Sequence, residues 1–261
     1  MGLSDGNSSM RPRLAALAFD HCYTTDRNHK FLRRLSKAGF ELHPSIVEHP
    51  GRHVCRFILF APPRVKARKY LEFISKPVRQ SDKPGLSFTC AGKLEDRFHA
   101  IKRDRFLEPT FEHRNYDWKK TGRKVHDLGW NFVHFRRKIA AAEIWLTEYE
   151  RSEKKPRSKS PSRHENGALG IIGLIFGATK SGRRYFEKIL RRRIDGTLRL
   201  PCGTELILEP AARTRFRGVL IKASNFRRFC ARAKPDEISS RRGRMTAVIK
   251  NPCGSWDILV V

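Results

Sequence analysis

The sequence predicts an α+β protein built from repeated βαβββ modules, one pair before and one shorter pair after a basic linker. Three observations carry this expectation. The order strand, helix, three strands recurs with a period of about 60 residues, which marks an internal repeat. Residues 151–166, RSEKKPRSKSPSRHEN, are almost devoid of apolar side chains and divide the chain as an exposed linker would. Hydrophobic residues make up 39% of the chain and include 17 Phe and 4 Trp, enough for a sizeable core, which excludes wholesale disorder.

The elements follow in order. Residues 1–13 are polar and read as a flexible N-terminus. Within Leu14–Thr24, Leu17, Phe19, His21 and Tyr23 alternate onto one face of a strand. Asn28 is placed to cap a helix, HKFLRRLSKAGF, with Phe31, Leu32 and Leu35 on its buried face and Gly39 at its end. Strands are expected around Leu42–Val47, at RFILF (56–60) and at KYLEFI (69–74). GLSFTC, KLEDRFHAIKRD, WNFVHF and AEIWLTEY repeat the pattern, completing a module pair over 14–150. After the linker, ALGIIGLIF, SGRRYFEKIL, TLRL and TELILEP begin a second pair over 167–261. This pair is expected to be partly degenerate, and a fourth copy runs from RGVLIKA through NFRRFCARAK to MTAVIK and WDILVV.

FDH at 19–21, the EHPGRH turn at 48–53 and YLEFI at 70–74 resemble the glyoxalase-like (glyoxalase/bleomycin-resistance) branch of the vicinal oxygen chelate superfamily, and HENGALGI at 164–171 resembles that family's approach to its C-terminal module pair. The resemblance implies curved sheets wrapping a cavity, with the first and last strands of a module each donating an inward metal ligand. Carried onto this chain these are His21 and Glu72, and from the second module Glu148 in IWLTEY. A carboxylate on an apolar strand such as YLEFI is costly unless paired or metal-bound; an arginine partner is the other reading of Glu72. GLSFTC offers only Ser87 and Thr89 where the family has a fourth ligand, and hydroxyls are poor ligands for a divalent cation.

The function so implied is a metal-dependent enzyme, of lyase, isomerase or dioxygenase type, acting on a small oxygen-chelating substrate. A divalent cation (Fe²⁺, Mn²⁺ or Zn²⁺) held by His21, Glu72 and Glu148 would act as Lewis acid, with a metal-bound water or Glu148 moving the proton. The same residues are equally compatible with a metal-free pocket. In the hairpin, His49, Pro50 and Gly51 match the family, but His53, Val54 and Arg56 depart from it, and His49 and His53 read as turn residues.

Charge carries a second reading, in which a non-catalytic basic protein binds an anionic ligand or nucleic acid. Lys+Arg number 55 against 26 Asp+Glu, a net charge of +29. Short Arg runs (183–184, 191–193, 227–228, 241–242) gather toward the C-terminal part. Few aromatics flank them, so the expectation is weak, sequence-independent nucleic-acid binding at low salt. Gly177–Gly182 has phosphate-loop spacing, but Arg183 and Arg184 stand where Lys and Ser/Thr are required. No G-x-S-x-G elbow supports a hydrolase. No apolar run is long enough for a membrane helix, residues 1–13 lack a secretory core, and six widely spaced cysteines suit reduced thiols in the cytoplasm.

Overall fold

A computed structural model describes residues 16–48, 53–60, 69–75, 83–90, 94–120, 123–137, 139, 142–149, 164–241, 243–252, 254 and 256–261. The expected flexible terminus (1–13), most of the linker (151–163) and residues 49–52 of the EHPGRH turn lie outside them.

The first module comprises β1 (Leu17–Thr25), α1 (Lys30–Lys37), β2 (Val47–Glu48), β3 (Val54–Phe60) and β4 (Lys69–Ile74). The second comprises β5 (Gly85–Cys90), α2 (Leu94–Ile101), β6 (Pro109–Lys120), β7 (Arg123–Phe135) and β8 (Glu143–Tyr149). In each, the first strand runs parallel to the last, β1 to β4 and β5 to β8, because the helix crosses over between them. The modules join by antiparallel pairing of β1 with β5, and β2 pairs with β6 to close an eight-stranded barrel, β1-β4-β3-β2-β6-β7-β8-β5.

The second sheet takes β9 (Ala168–Ala178), α3 (Lys180–Leu190), β10 (Thr197–Arg199) and β11 (Glu205–Pro210) from the third module. The fourth adds β12 (Arg215–Ala223), α4 (Phe226–Ala233), β13 (Glu237–Arg241), β14 (Arg244–Ile249) and β15 (Asp257–Val260). The order β10-β11-β9-β12-β15-β14-β13 stays open. The expected shortening falls on the third module, which has two strands after its helix; the fourth is a full βαβββ unit.

Helix placement follows the apolar stripe. Phe31, Leu32 and Leu35 of α1 are buried, as are Tyr185, Phe186, Ile189 and Leu190 of α3. The cap of α1 differs from expectation. Asn28 lies in the left-handed region (φ 61°), and the buried carboxylate of Asp26 accepts instead from Phe31 N (3.0 Å) and Leu32 N (2.8 Å). Gly39 ends the helix at φ +81°, a conformation that glycine adopts freely.

One apolar core runs through both sheets: Phe40 of the first module meets Phe60 at 6.4 Å and Phe229 of α4 at 6.1 Å, between ring centroids. Two buried polar groups fasten the sheets across it. Lys69 Nζ donates to the carbonyls of Ile171 (3.1 Å) and Cys202 (3.0 Å), and Asn166 Nδ2 donates to the carbonyl of Ala38 (2.9 Å). Asn166 belongs to the HENG segment, so that motif does structural work at the junction. Among the described residues, no helix is long and apolar enough to cross a membrane.

Candidate active site

Strand parity decides what enters the barrel. Leu71 and Phe73 of β4 pack outward into the core with Phe31, which turns Tyr70 and Glu72 inward. On β1 both Phe19 and Cys22 are in the core although they stand three positions apart, an odd spacing. The pairing with β5 slips between Phe19 and His21, and this bulge aims Asp20 and His21 to the same inner side.

The result is a line of titratable groups on one concave face. His21 Nδ1 lies 2.8 Å from Asp20 Oδ2, and His21 Nε2 lies 3.5 Å from Glu72 Oε2. The Tyr70 hydroxyl donates to Tyr149, whose hydroxyl donates in turn to Asp20. Cys55 of β3 donates to Glu72. The imidazole is clamped by stacking on Tyr70 (4.4 Å between centroids) and by the edge of Trp145 (5.6 Å). Side-chain exposures of 9% for His21 and 13% for Glu72 leave both within reach of a small molecule.

Burial lowers the His21 pKa, but the charge and hydrogen bond of Asp20 and the charge of Glu72 outweigh it, so His21 holds its proton to higher pH than an ordinary histidine. Burial, then the nearby carboxylates, pushes Tyr70 and Tyr149 well up, keeping both hydroxyls protonated. Burial also raises the Cys55 thiol, with Glu72 adding to the effect. His53, at the start of β3, is lowered by burial, against which the Glu72 charge works.

The second module repeats the geometry with different chemistry. His21 pairs with Tyr70 on β4, and Glu72 lies two residues beyond; Ser87 pairs with Trp145 on β8, and Thr147 lies two residues beyond. Ser87 Oγ and Thr147 Oγ1 bond to each other at 3.0 Å. The four inward positions therefore hold His21, Glu72, Ser87 and Thr147.

Glu148 is not brought to His21 and Glu72. It shares its face with Ile144 and Leu146, and its carboxylate accepts from Leu94 N (3.2 Å) at the start of α2. A strand's two faces alternate, so a slip of one residue moves a side chain to the opposite side of the sheet. Ile144 and Leu146 are apolar and carried that signal in the sequence. Asp20 carried none, because strict alternation would turn it away from His21.

Two strong donors therefore converge, His21 Nε2 and Glu72, while the other two inward positions hold hydroxyls bonded to each other. Among the described residues, no cluster of three or more His, Cys, Asp or Glu side chains is arranged to hold a metal ion. A resident catalytic metal needs about three protein ligands, and the described residues bring two of them, His21 Nε2 and Glu72, to one point. The Gly177–Gly182 segment is packing rather than a phosphate loop. Thr179 caps α3 by accepting from Gly182 N (3.1 Å), and a Cβ at Gly182 would stand 2.2 Å from Thr214 Oγ1.

No family model matches the sequence, and no curated protein matches it. Solved structures do. A hypothetical protein from Staphylococcus aureus superimposes with a TM-score of 0.58 at 14% identity, over 94% of this chain and 99% of the other. An extradiol ring-cleaving dioxygenase from B. fuscum gives 0.57 at 15% identity, over 95% and 72%. A Mn(II)-bound glyoxalase from Novosphingobium aromaticivorans gives 0.56 at 10% identity, over 95% and 82%. At these identities the likeness is one of fold, which this chain shares with a ring-cleaving dioxygenase and a glyoxalase.

Proposed function

We propose that the protein is a small-molecule enzyme of the vicinal oxygen chelate type that works by proton transfer, with His21 and Glu72 as its acid and base. The observation that carries this reading is the 3.5 Å approach of His21 Nε2 to Glu72 Oε2, with Asp20 on the other ring nitrogen. Asp20 fixes the ring so that Nε2 faces the site and stabilises the imidazolium. Tyr149 and Tyr70 hold Asp20 in turn, and burial sharpens each of these contacts.

A small carbonyl compound entering between the two groups would place its oxygen at Nε2–H and an adjacent C–H at Glu72. Glu72 takes the carbon-bound proton while His21 donates to the oxygen, giving an enol; return of a proton to a different carbon or face completes isomerisation or epimerisation. Of the reactions that the fold resemblance implies, these need proton transfer alone. The His21–Glu72 pair thus supplies the chemistry without a third metal ligand. Trp145 stands edge-on to His21 and Phe57 edge-on to Tyr70, so aromatic surface beside the pair would favour an apolar substrate body.

The test is proton exchange in D₂O. A panel of small α-hydroxy and α-keto compounds is incubated with the protein and deuterium incorporation is followed by NMR. Exchange is expected into at least one compound, with loss of at least about 100-fold in Glu72→Gln and His21→Asn, the range of general acid–base catalysis, and full activity in Glu148→Gln. Metal analysis of protein purified without chelator is expected to find no stoichiometric cation. Exchange unaffected by Glu72→Gln, no exchange into any compound, or one cation per chain that His21→Ala releases would contradict the reading.

A further inference from the structure

Outside the barrel, the charge is not evenly spread. A groove of about 560 Å³ lies between α1 and the C-terminal end of α4, lined by Lys30, Arg33, Arg34, Lys37, Arg232 and Lys234 over a floor of Ala38 and Ala233. Two of the six cations are offset: Arg34 pairs with Asp236, and Arg232 with Glu165 at 2.8 Å. Lys30, Arg33, Lys37 and Lys234 are exposed and have no carboxylate partner among the described residues.

Helix electrostatics explains only part of this. Lys37 and Lys234 stand at the C-terminal ends of α1 and α4, where carbonyl groups favour cations. Lys30 and Arg33 occupy the first turn of α1, where the helix dipole disfavours them, and that turn contains no acidic residue. Lys30, Arg33, Arg34 and Lys37 also fall at three- and four-residue spacings on one face, so like charges repel along it. The arrangement costs the free protein stability that an anion in the groove would return. No aromatic or neutral polar side chain is among the described residues that line the groove, which present charge to a ligand without a stacking platform for a base. Its volume matches a small molecule rather than a track for a duplex.

We propose that the α1–α4 groove is a binding site for a compact polyphosphate, a ligand with several linked phosphoryl groups recognised through its charge. A second basic patch provides the internal control. It lies at the end of α3, where Arg184, Lys188, Arg191, Arg192 and Arg193 surround a cavity of about 450 Å³ that also contains Glu187. There Lys188 already pairs with Asp104, and Arg184 lies over the Phe106 ring at 5.1 Å.

Tripolyphosphate is the probe, with titration calorimetry and thermal unfolding at about 150 mM salt, where exposed charges more than a Debye length apart are largely screened. The full-length protein should bind one tripolyphosphate per chain and gain thermal stability from it. Arg33→Glu/Lys37→Glu should weaken binding at least tenfold, the milder Lys30→Gln/Arg33→Gln should weaken it measurably, and Arg191→Glu/Arg192→Glu should leave it within twofold of the parent. The proposal is overturned if the α1 and α3 variants weaken binding equally, if several tripolyphosphates bind per chain, or if a short DNA duplex binds more tightly through both patches, which would make the surface a nucleic-acid track.

Discussion

The closed barrel and the open sheet are built from the same repeat and put their inner faces to opposite uses. In the barrel, pairing of β2 with β6 closes the wall, and the concave side carries Asp20, His21, Glu72, Tyr70 and Tyr149 in one bonded network. In the sheet of β9–β15 the third module is one strand short, closure fails, and the corresponding side carries an apolar cluster of Ile175, Ile207 and Leu259 with Leu220 and Val248 against it. A buried polar network persists only where its members satisfy one another and water is held off. The closed wall supplies that setting, and the open sheet supplies core. On the proposed reading the first pair of modules carries the chemistry and the second supports it.

The largest expected effect tests whether the two regions share one core. Phe73 of β4 and Phe176 of β9 are both fully buried, the first against α1 and the second against Phe186 of α3 at 4.7 Å. Truncation of either to Ala should cost about 3–5 kcal/mol. Each variant should shift a single unfolding transition, read by circular dichroism against denaturant. Two separate transitions would divide the regions.

A smaller effect comes from the junction. His164 accepts from Glu41 N (3.0 Å) and packs between the rings of Phe40 and Phe60. Burial, outweighing the Leu59 carbonyl beside it, lowers its pKa to about 4. The unfolded chain takes up this proton near pH 6.5 and the folded one only near pH 4, so this contribution is complete above about 6.5 and drains away as pH falls toward 4. It amounts to at most about 3 kcal/mol. Chemical denaturation of wild type and His164→Gln across that range should show the difference; parallel curves would refute it.

The smallest effect concerns Glu148. Because its carboxylate serves the first backbone N–H of α2, Glu148→Ala should cost about 0.5–1 kcal/mol, as loss of a helix cap does. The His21 environment should be unchanged by NMR. A perturbed His21 would place Glu148 back in the site.

These outcomes bear on what the residues alone disclosed. Apolar periodicity located most of the described strands and the four described α-helices, because each sets apolar side chains against the core. It missed β13, where Glu237–Ser240 are exposed on both faces, and β6, whose sequence TFEHRNYDWKK mixes charge with aromatics and lacks an apolar alternation. His21 and Glu72 are named by the resemblance of FDH and YLEFI to the family, and their apolar strand neighbours only agree with it. Asp20 was hidden by a bulge, a property of pairing between strands distant in sequence. Asp26 capped α1 from beyond its expected boundary, since left-handed Asn28 and His29 turn the chain back toward it. Ser87 already stands at a ligand position by the resemblance, whereas Thr147 gained meaning only as the symmetry counterpart of Glu72.

The most direct test of the central claim sets the two buried histidines side by side. An ¹⁵N NMR titration of the imidazoles should place His21 above the ordinary value of about 6.5 and His164 at about 4. Asp20→Asn should lower the His21 value and leave His164 where it is. His21 titrating below the ordinary value, or unmoved by Asp20→Asn, would contradict an imidazole oriented and charged by Asp20 as the acid of the barrel.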